Sequence, residues 1–475
     1  MTAPFWIAGK PVCGTEAAVV RHPYDDTEAG SHYVPAESDV EAAVAAADAA
    51  RAEAAGLPAH VRAGALDHVA HALTGRAEEF AQLITAESGK PIRWARAETL
   101  RAASTFRWAA EEARRFSGEL QRLDTDPGST GRLALVRRVP RGPVLGITPF
   151  NFPLNLVAHK VAPAIAVGAP IVLKPAPATP LTALALGEVL AETDLPAGCW
   201  SVLPVGNDDA TRLVTDARLP VVSFTGSVPV GWSIRETAAR KHVTLELGGN
   251  AAVIVCPDWT DLDAAAERIA IFAMYQAGQS CISVQRVYAH DDVADDLTER
   301  VVAQVRAMGT GDPRSAETAV GPLIDIAAAR RVEAWVADAV AAGARCLTGG
   351  ERDGATVAPT VLAGVPEDVS VMADEVFGPV VCLNAVGSVD EAFDRVNASR
   401  FGLQTGVFTR DLPTAFAASA RLDVGGVVVG DVPSFRADQM PYGGVKDSGT
   451  GREGPAAAMA DLTEERVTVL TGLLL

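Results

Sequence analysis

Cys281 stands in Gly278-Gln279-Ser280-Cys281, and glycine with small polar neighbours is poor company for a thiol that only fills a core. At a helix–loop boundary, such a setting would let backbone N–H groups lower the thiol pKa and hold a thiolate, the form that attacks an electrophile. From these residues alone a buried structural thiol is the competing reading. Glu246 sits in Leu245-Glu246-Leu247-Gly248-Gly249-Asn250. If buried, its pKa rises toward neutrality and it suits general-base work; on an edge strand it is a solvated side chain. Asn151, in Thr148-Pro149-Phe150-Asn151-Phe152-Pro153, either closes a turn or presents a fixed, uncharged donor to an oxyanion. The run Phe224-Thr225-Gly226-Ser227-Val228-Pro229-Val230-Gly231 reads as a strand, a glycine turn and a helix start, which points N–H groups at a phosphate. Lys174 ends the apolar run Ile171-Val172-Leu173 and precedes Pro175. That places it at the carboxyl edge of a parallel strand, where doubly wound sheets bind ligands.

Positioning these groups takes a large scaffold. The chain has 475 residues, beyond the length at which one hydrophobic core stops growing, so two or three domains are expected. Hydrophobic residues are 48% and charged residues 21%, an ordinary globular composition. A net charge of −18 repels phosphate backbones, so nucleic acid is not an expected partner. The opening residues Met1 to Lys10 lack a basic segment followed by a long apolar run. The stretch 161–173 is broken by Pro163, Gly168 and Pro170, too short and interrupted to span a bilayer. No membrane association and a cytoplasmic location are the expectation. The six cysteines form no Cys-x-x-Cys pair, which speaks against zinc and disulfide frameworks. His68 and His71 share a helix face without a further ligand beside them, so no metal is expected.

Helices are expected over 38–56, 60–86 and 92–117, the first opened by a capping box of Ser38 and Glu41. The turn cluster Asp126-Pro127-Gly128-Ser129 precedes the alternating run 132–137, which reads as a hairpin arm. Across 141–247, apolar runs at 144–147, 171–173, 201–203 and 221–224 alternate with helical segments 153–167, 180–193 and 207–216. That alternation specifies an α/β fold whose parallel sheet is covered on both faces. It resumes over 250–440, with strands near 251–255, 284–290, 379–385 and 426–429. The chain thus reads as two α/β lobes with a small β appendage.

Taken in order, the motifs Thr148-Pro149-Phe150-Asn151-Phe152-Pro153, Leu173-Lys174-Pro175, Phe224-Thr225-Gly226-Ser227, Glu246-Leu247-Gly248-Gly249-Asn250 and Gly278-Gln279-Ser280-Cys281 continue into two more. These are Glu375-Val376-Phe377-Gly378-Pro379 and Pro441-Tyr442-Gly443-Gly444-Val445-Lys446. The series resembles the aldehyde dehydrogenase superfamily from about residue 5 to the C-terminus. The resemblance implies a Rossmann-type cofactor domain over 1–118 and 141–247, and an α/β catalytic domain over 248–448. A β oligomerisation arm over 119–140 and 449–475, with a strand near 467–475, would build a homodimer or homotetramer. It also implies that Cys281 attacks an aldehyde, that Asn151 and the Cys281 N–H hold the oxyanion, and that Glu246 activates the water that hydrolyses the thioester.

For the cofactor, the resemblance gives Lys174 and Glu375 to the ribose hydroxyls, Ser227 to the pyrophosphate and Phe377 to the nicotinamide side. Thr148, Pro149, Phe150, Gly206, Phe224, Gly226, Val230 and Leu247 complete that set. Pro177 stands where many NAD-preferring relatives carry a glutamate, so NAD is expected and NADP stays open. The aldehyde tunnel maps to Arg101, Asn155, His159, Ser280, Ile282, Ser434, Arg436 and Tyr442. That lining is wrong for a hydrocarbon tail, and its arginines suit a carboxylate, phosphate or phosphonate. The competing reading makes Arg101 and Arg436 surface residues paired with Glu98, Glu111 or Asp438.

The stretch 435–442 is similar to the lactaldehyde, glyceraldehyde 3-phosphate and phosphonoacetaldehyde dehydrogenase branch. Gln439 departs from the histidine frequent there, and Ser280 from a basic residue found in some phosphate-handling members. The alternatives are a CoA-acylating dehydrogenase, against which Glu246 argues, a non-catalytic protein on the same scaffold, and a cofactor-free thiol hydrolase.

Overall fold

The computed structural model describes residues 2–473. Four apolar runs, Val144–Ile147, Ile171–Lys174, Trp200–Val202 and Val221–Thr225, form parallel strands whose residues are almost all buried. His242–Glu246 extends them, parallel to Val221–Thr225. Phe5–Ile7 and Lys10–Val12 add an antiparallel edge and complete a seven-stranded sheet. Chain order reverses between Val144–Ile147 and Val221–Thr225. At such a switch point the loops after two adjacent strands diverge and leave a crevice. The Thr148–Asn151 segment and Gly226-Ser227 emerge there.

A second seven-stranded sheet runs Arg345–Thr348, Thr360–Ala363, Val380–Val386, Arg286–His290, Ala252–Val255, Gln404–Phe408 and Gly426–Val429. Only its first pairing is antiparallel. Each sheet has its own hydrophobic core. A third, three-stranded antiparallel sheet joins Glu119–Arg122 to Arg132–Pro140 and Arg132–Pro140 to Thr463–Thr471. The last two residues of the expected arm, Leu474 and Leu475, lie outside the described residues.

Several expected boundaries are corrected. The first helix begins at Glu37, with Ala36 as its cap residue, and the Asp39 carboxylate accepts from the Ala36 N–H at 2.8 Å. Ser38 and Glu41 therefore make no capping box; Glu41 pairs with Arg218 at 2.7 Å. The expected helix 38–56 is two, Glu37–Ala49 and Arg51–Gly56, and 60–86 is likewise Ala59–Gly75 and Ala77–Ser88. Among the described residues no helix is long and apolar enough to cross a membrane, and no three His, Cys, Asp or Glu side chains cluster as metal ligands would.

Candidate active site

The thiol is placed by backbone geometry that few sequences tolerate. Helix Leu262–Met274 runs into a tight turn in which Gln276, Ala277 and Gly278 all have positive φ, at 41°, 58° and 71°. The left-handed region costs a non-glycine residue about 1–3 kcal/mol, so surrounding bonds must hold it. Here the Gln276 Nε2 donates to the Gln279 carbonyl at 2.6 Å, and Gln279 Oε1 accepts from the Ile324 N–H at 2.9 Å. Gly278 is required on a second count, because a Cβ there would run into the Gly378 carbonyl. Cys281 follows, half-buried, its Sγ 2.8 Å from the Tyr442 hydroxyl.

The backbone does not lower this thiol as the sequence led us to expect. Burial pushes it up to about 12, with Glu375 and Glu453 adding to the rise while Tyr442 and Arg436 oppose it. Enclosure and nearby carboxylates outweigh the small polar neighbours. The Cys281 N–H donates to no group among the described residues. Asn151 donates one N–H of its amide to the Gln279 carbonyl at 3.0 Å, which fixes the side chain and leaves the other N–H for a ligand.

Glu246 ends its strand buried, and neither carboxylate oxygen has a hydrogen-bond partner among the described residues. Burial, reinforced by repulsion from Glu453, holds it well above the usual carboxylate range against the pull of Lys160, Arg436 and Arg452. Glu453 behaves oppositely. Burial would raise it, but Arg436, His159 and Lys160 together hold it below its ordinary value. Its Oε2 lies 2.9 Å from an Arg436 nitrogen, and its Oε1 accepts from the Thr225 hydroxyl at 3.3 Å. Sequence reasoning missed Glu453, since an acid in a glycine-rich loop carries no pattern of its own.

Both sheets contribute to one cavity of about 550 Å³. From the expected set it gathers Asn151, Glu246 and Cys281, then Pro149, Phe150, Gly226, Ser227, Leu247, Glu375 and Phe377, and also Arg101, Asn155, Ser280, Ile282, Ser434, Arg436 and Tyr442. Thr148, Lys174, Pro177, Gly206, Phe224 and Val230 lie outside that lining. Thr148 joins the Lys174 carbonyl through its N–H at 3.2 Å, while Pro177 and Gly206 are exposed and Val230 sits on the first turn after Ser227.

The polar groups left over there suit a dinucleotide. Ser227 caps helix Val228–Thr237 without a side-chain bond, which leaves the helix N-terminus available to a pyrophosphate. Buried Lys174 donates to the Pro175 carbonyl at 3.3 Å, and burial lowers it to about 8. Glu375 accepts from the Gly249 N–H at 3.0 Å through one oxygen, and burial raises it to about 7. An ammonium and a carboxylate oxygen with capacity to spare match the hydroxyls of two riboses.

On the other side, the two readings of the arginines coexist. Arg101 lines the cavity and also grips Asp438, at 2.9 and 3.3 Å. Arg436 lines it while pairing with Glu453, donating to His159 at 2.9 Å and covering the Tyr442 ring at 4.1 Å. Its buried Nε has no partner among the described residues. His159 is a correction: it does not line the cavity but lies buried behind it, 3.2 Å from Asp438, and orients the arginine. Unanticipated lining includes Trp94, Arg268, Phe272, Tyr275 and Phe435.

A thiol facing a buried base and a nucleotide crevice at a switch point defines a nicotinamide-dependent oxidoreductase that works through a cysteine. The aldehyde dehydrogenase family profile matches residues 10–468, and the chain belongs to that family. It is an NAD(P)-dependent aldehyde dehydrogenase. A 3-sulfolactaldehyde dehydrogenase of Priestia aryabhattai is 42% identical over 466 residues, covering 98% of this chain and 97% of that one. The crystal structure of aldehyde dehydrogenase 21 from Physcomitrella patens, in complex with the reaction product succinate, is 44% identical with a TM-score of 0.97 and coverage of 99% and 98%. The glyceraldehyde-3-phosphate dehydrogenase GapN of Methanocaldococcus jannaschii, complexed with NADP, is 34% identical with a TM-score of 0.92 and coverage of 96% and 100%.

Proposed function

We propose that this chain oxidises a small aldehyde bearing a second, anionic group (carboxylate, sulfonate, phosphate or phosphonate) to the acid. The observation that carries this is Arg436, a buried guanidinium on the cavity wall whose Nε–H lacks a partner, with Arg101 on the same lining. A buried donor without an acceptor is costly unless a ligand supplies one. Because Asp438 and Glu453 already balance the arginines, the anion meets a tuned site rather than a strongly positive one. The sulfolactaldehyde relative and the succinate complex support the same class.

In the reaction, Cys281 Sγ bonds to the aldehyde carbon, and the carbonyl oxygen becomes an oxyanion held by Asn151 Nδ2 and the Cys281 N–H. The thiol is protonated at neutral pH, so attack requires a proton acceptor, and the unpartnered carboxylate of Glu246 is suited to that task. Ser227, Lys174 and Glu375 would hold a nicotinamide cofactor, which would supply the hydride acceptor for oxidising the hemithioacetal to a thioester. Glu246 passes the thiol proton to solvent and, as a carboxylate again, takes a proton from water, whose oxygen attacks the thioester carbon, displaces the sulfur as thiolate and releases the acid. A base poised for water favours hydrolysis over transfer to CoA. NAD⁺ is the expected cofactor, and Pro177, which presents no carboxylate to a 2′-phosphate, leaves the site open to NADP⁺. On this reading, 1–118 with 141–247 bind the cofactor, 248–448 carry the thiol, and 119–140 with 449–475 join copies into a homodimer or homotetramer. Six free cysteines fit a reducing cytoplasm.

The test is a panel of succinic semialdehyde, sulfolactaldehyde and glyceraldehyde 3-phosphate against neutral aldehydes of matched and greater length, each with NAD⁺ and NADP⁺. Charged substrates should win in kcat/KM, and Arg101→Ala should cost them about 10- to 100-fold while sparing neutral ones. Preference for long neutral aldehydes, with Arg101→Ala silent, would overturn the reading.

A further inference from the structure

The Sγ of Cys281 has one hydrogen-bond partner among the described residues, the Tyr442 hydroxyl at 2.8 Å. The ring is held in place. Tyr442 is buried in a small cluster with Ile282 and Leu403, and the Arg436 guanidinium lies over its face at 4.1 Å. A phenol fixed on both sides and aimed at a sulfur is a preorganised donor, with little orientational freedom left to lose. The electrostatic setting gives it work. Glu375 and Glu453 both disfavour negative charge on Cys281, and Glu246 faces the same cavity, whereas Arg436 and the Tyr442 hydroxyl favour that charge. Arg436 itself is shared with Glu453 and His159, so the hydroxyl is the group in direct contact with the reacting atom.

We propose that Tyr442 is a catalytic residue of this site, its O–H donating to the Cys281 sulfur so as to hold the side chain and stabilise the thiolate before it attacks. This rests on Cys281 being the nucleophile. The proton stays on the phenol throughout; the one released from sulfur goes to Glu246. Once sulfur is bonded to carbon, its charge is gone and the hydrogen bond weakens, so the contribution falls on acylation and not on hydrolysis.

The test is iodoacetamide alkylation of the Cys281 peptide, followed by mass spectrometry against pH, in wild type and Tyr442→Phe, with and without NAD⁺. Resolving the peptide separates this thiol from exposed Cys13 and Cys346. Removing a hydrogen bond to a charged sulfur lowers the thiolate fraction and should slow alkylation of the Cys281 peptide about 3- to 15-fold at any fixed pH between about 7 and 9. The single-turnover acylation rate should fall about 10- to 100-fold, with KM for the cofactor unmoved. Should Tyr442→Phe fail to fold, replacing all five tyrosines with fluorotyrosine makes the phenol a stronger donor and should speed that alkylation at fixed pH. An unchanged alkylation rate in either experiment overturns the role of Tyr442. Cys281→Ala that still oxidises aldehyde overturns the nucleophile assignment instead, so the two failures are separable.

Discussion

The carboxylate that most constrains the chemistry is Glu246, because burial and Glu453 hold it above the ordinary range while neither oxygen is bonded. A raised carboxylate is a base only above its own pKa. Turnover should therefore fall on acidification through a midpoint well above that of an exposed glutamate, where the proton returns to Glu246. Glu246→Gln should lower steady-state kcat by about 10²-fold or more and also slow the first turnover of NADH, since the same carboxylate takes the thiol proton before attack and activates water after it. Stopped-flow absorbance would show it; a burst of NADH at the wild-type rate followed by slow turnover would confine Glu246 to hydrolysis, and an unchanged kcat would refute it as a base. The types and order of Cys281, Asn151 and Glu246 were legible in the sequence, as were Arg101 and Arg436, though not the aromatic wall of Trp94, Phe272, Tyr275 and Phe435. The charge balance was not. Asp438 and Glu453 are ordinary acids by pattern, and only tertiary pairing with Arg101 and Arg436 sets the field at the thiol. The same enclosure explains why small neighbours of Cys281 did not make it acidic.

At the scale of elements, apolar runs announced the buried parallel strands, because each is covered on both faces and has no polar alternation to confuse it. Gln404–Phe408 escaped notice, although it is an inner strand of its sheet. Its Gln404 amide is satisfied far away in sequence, by the Pro433 and Phe435 carbonyls at 2.5 and 2.8 Å, and Gly406 makes room for the Asp431 backbone. Neither reason is local. Helix Asn155–Val167, which carries Asn155, His159 and Lys160, is expected from the sequence over 153–167, but it has no side-chain cap of its own at the N-terminus. Buried Glu98 supplies it, accepting from the Leu154 and Asn155 N–H groups at 2.9 and 3.1 Å while pairing with buried Lys90. Glu98→Ala uncaps that helix and strands the Lys90 ammonium in a nonpolar site. It should destabilise the fold by about 3–5 kcal/mol, read as a lower urea midpoint. Glu98→Gln, which keeps an acceptor, should lose less; equal stability of all three would refute the cap.

Across the whole molecule, the feature with no internal explanation is the arm. Thr463–Thr471 is exposed along nearly its whole length, and Leu120, Val467 and Val469 are each at least half exposed, at 61%, 56% and 50%. Long strands with open edges and apolar side chains in water invite pairing with another chain. The arm is also tied to the site. Glu453 leads into helix Pro455–Asp461, whose Asp461 accepts from His242 at 2.8 Å at the start of the strand ending in Glu246. Arg138 of the arm donates to the Ala460 carbonyl at 2.9 Å and the Thr463 hydroxyl at 3.1 Å. Seating the arm on a second copy would therefore brace the segment that holds Glu453 against Glu246. Val469→Asp buries a charge in such an interface and should weaken association by about 100-fold or more, with folding intact by circular dichroism. Sedimentation velocity should find wild type as a dimer or tetramer and the variant shifted toward monomer at low micromolar concentration. The variant's kcat should drop as it dissociates, while its alkylation at Cys281 stays intact. A monomeric wild type, or a variant whose mass is unchanged, would remove the arm from assembly.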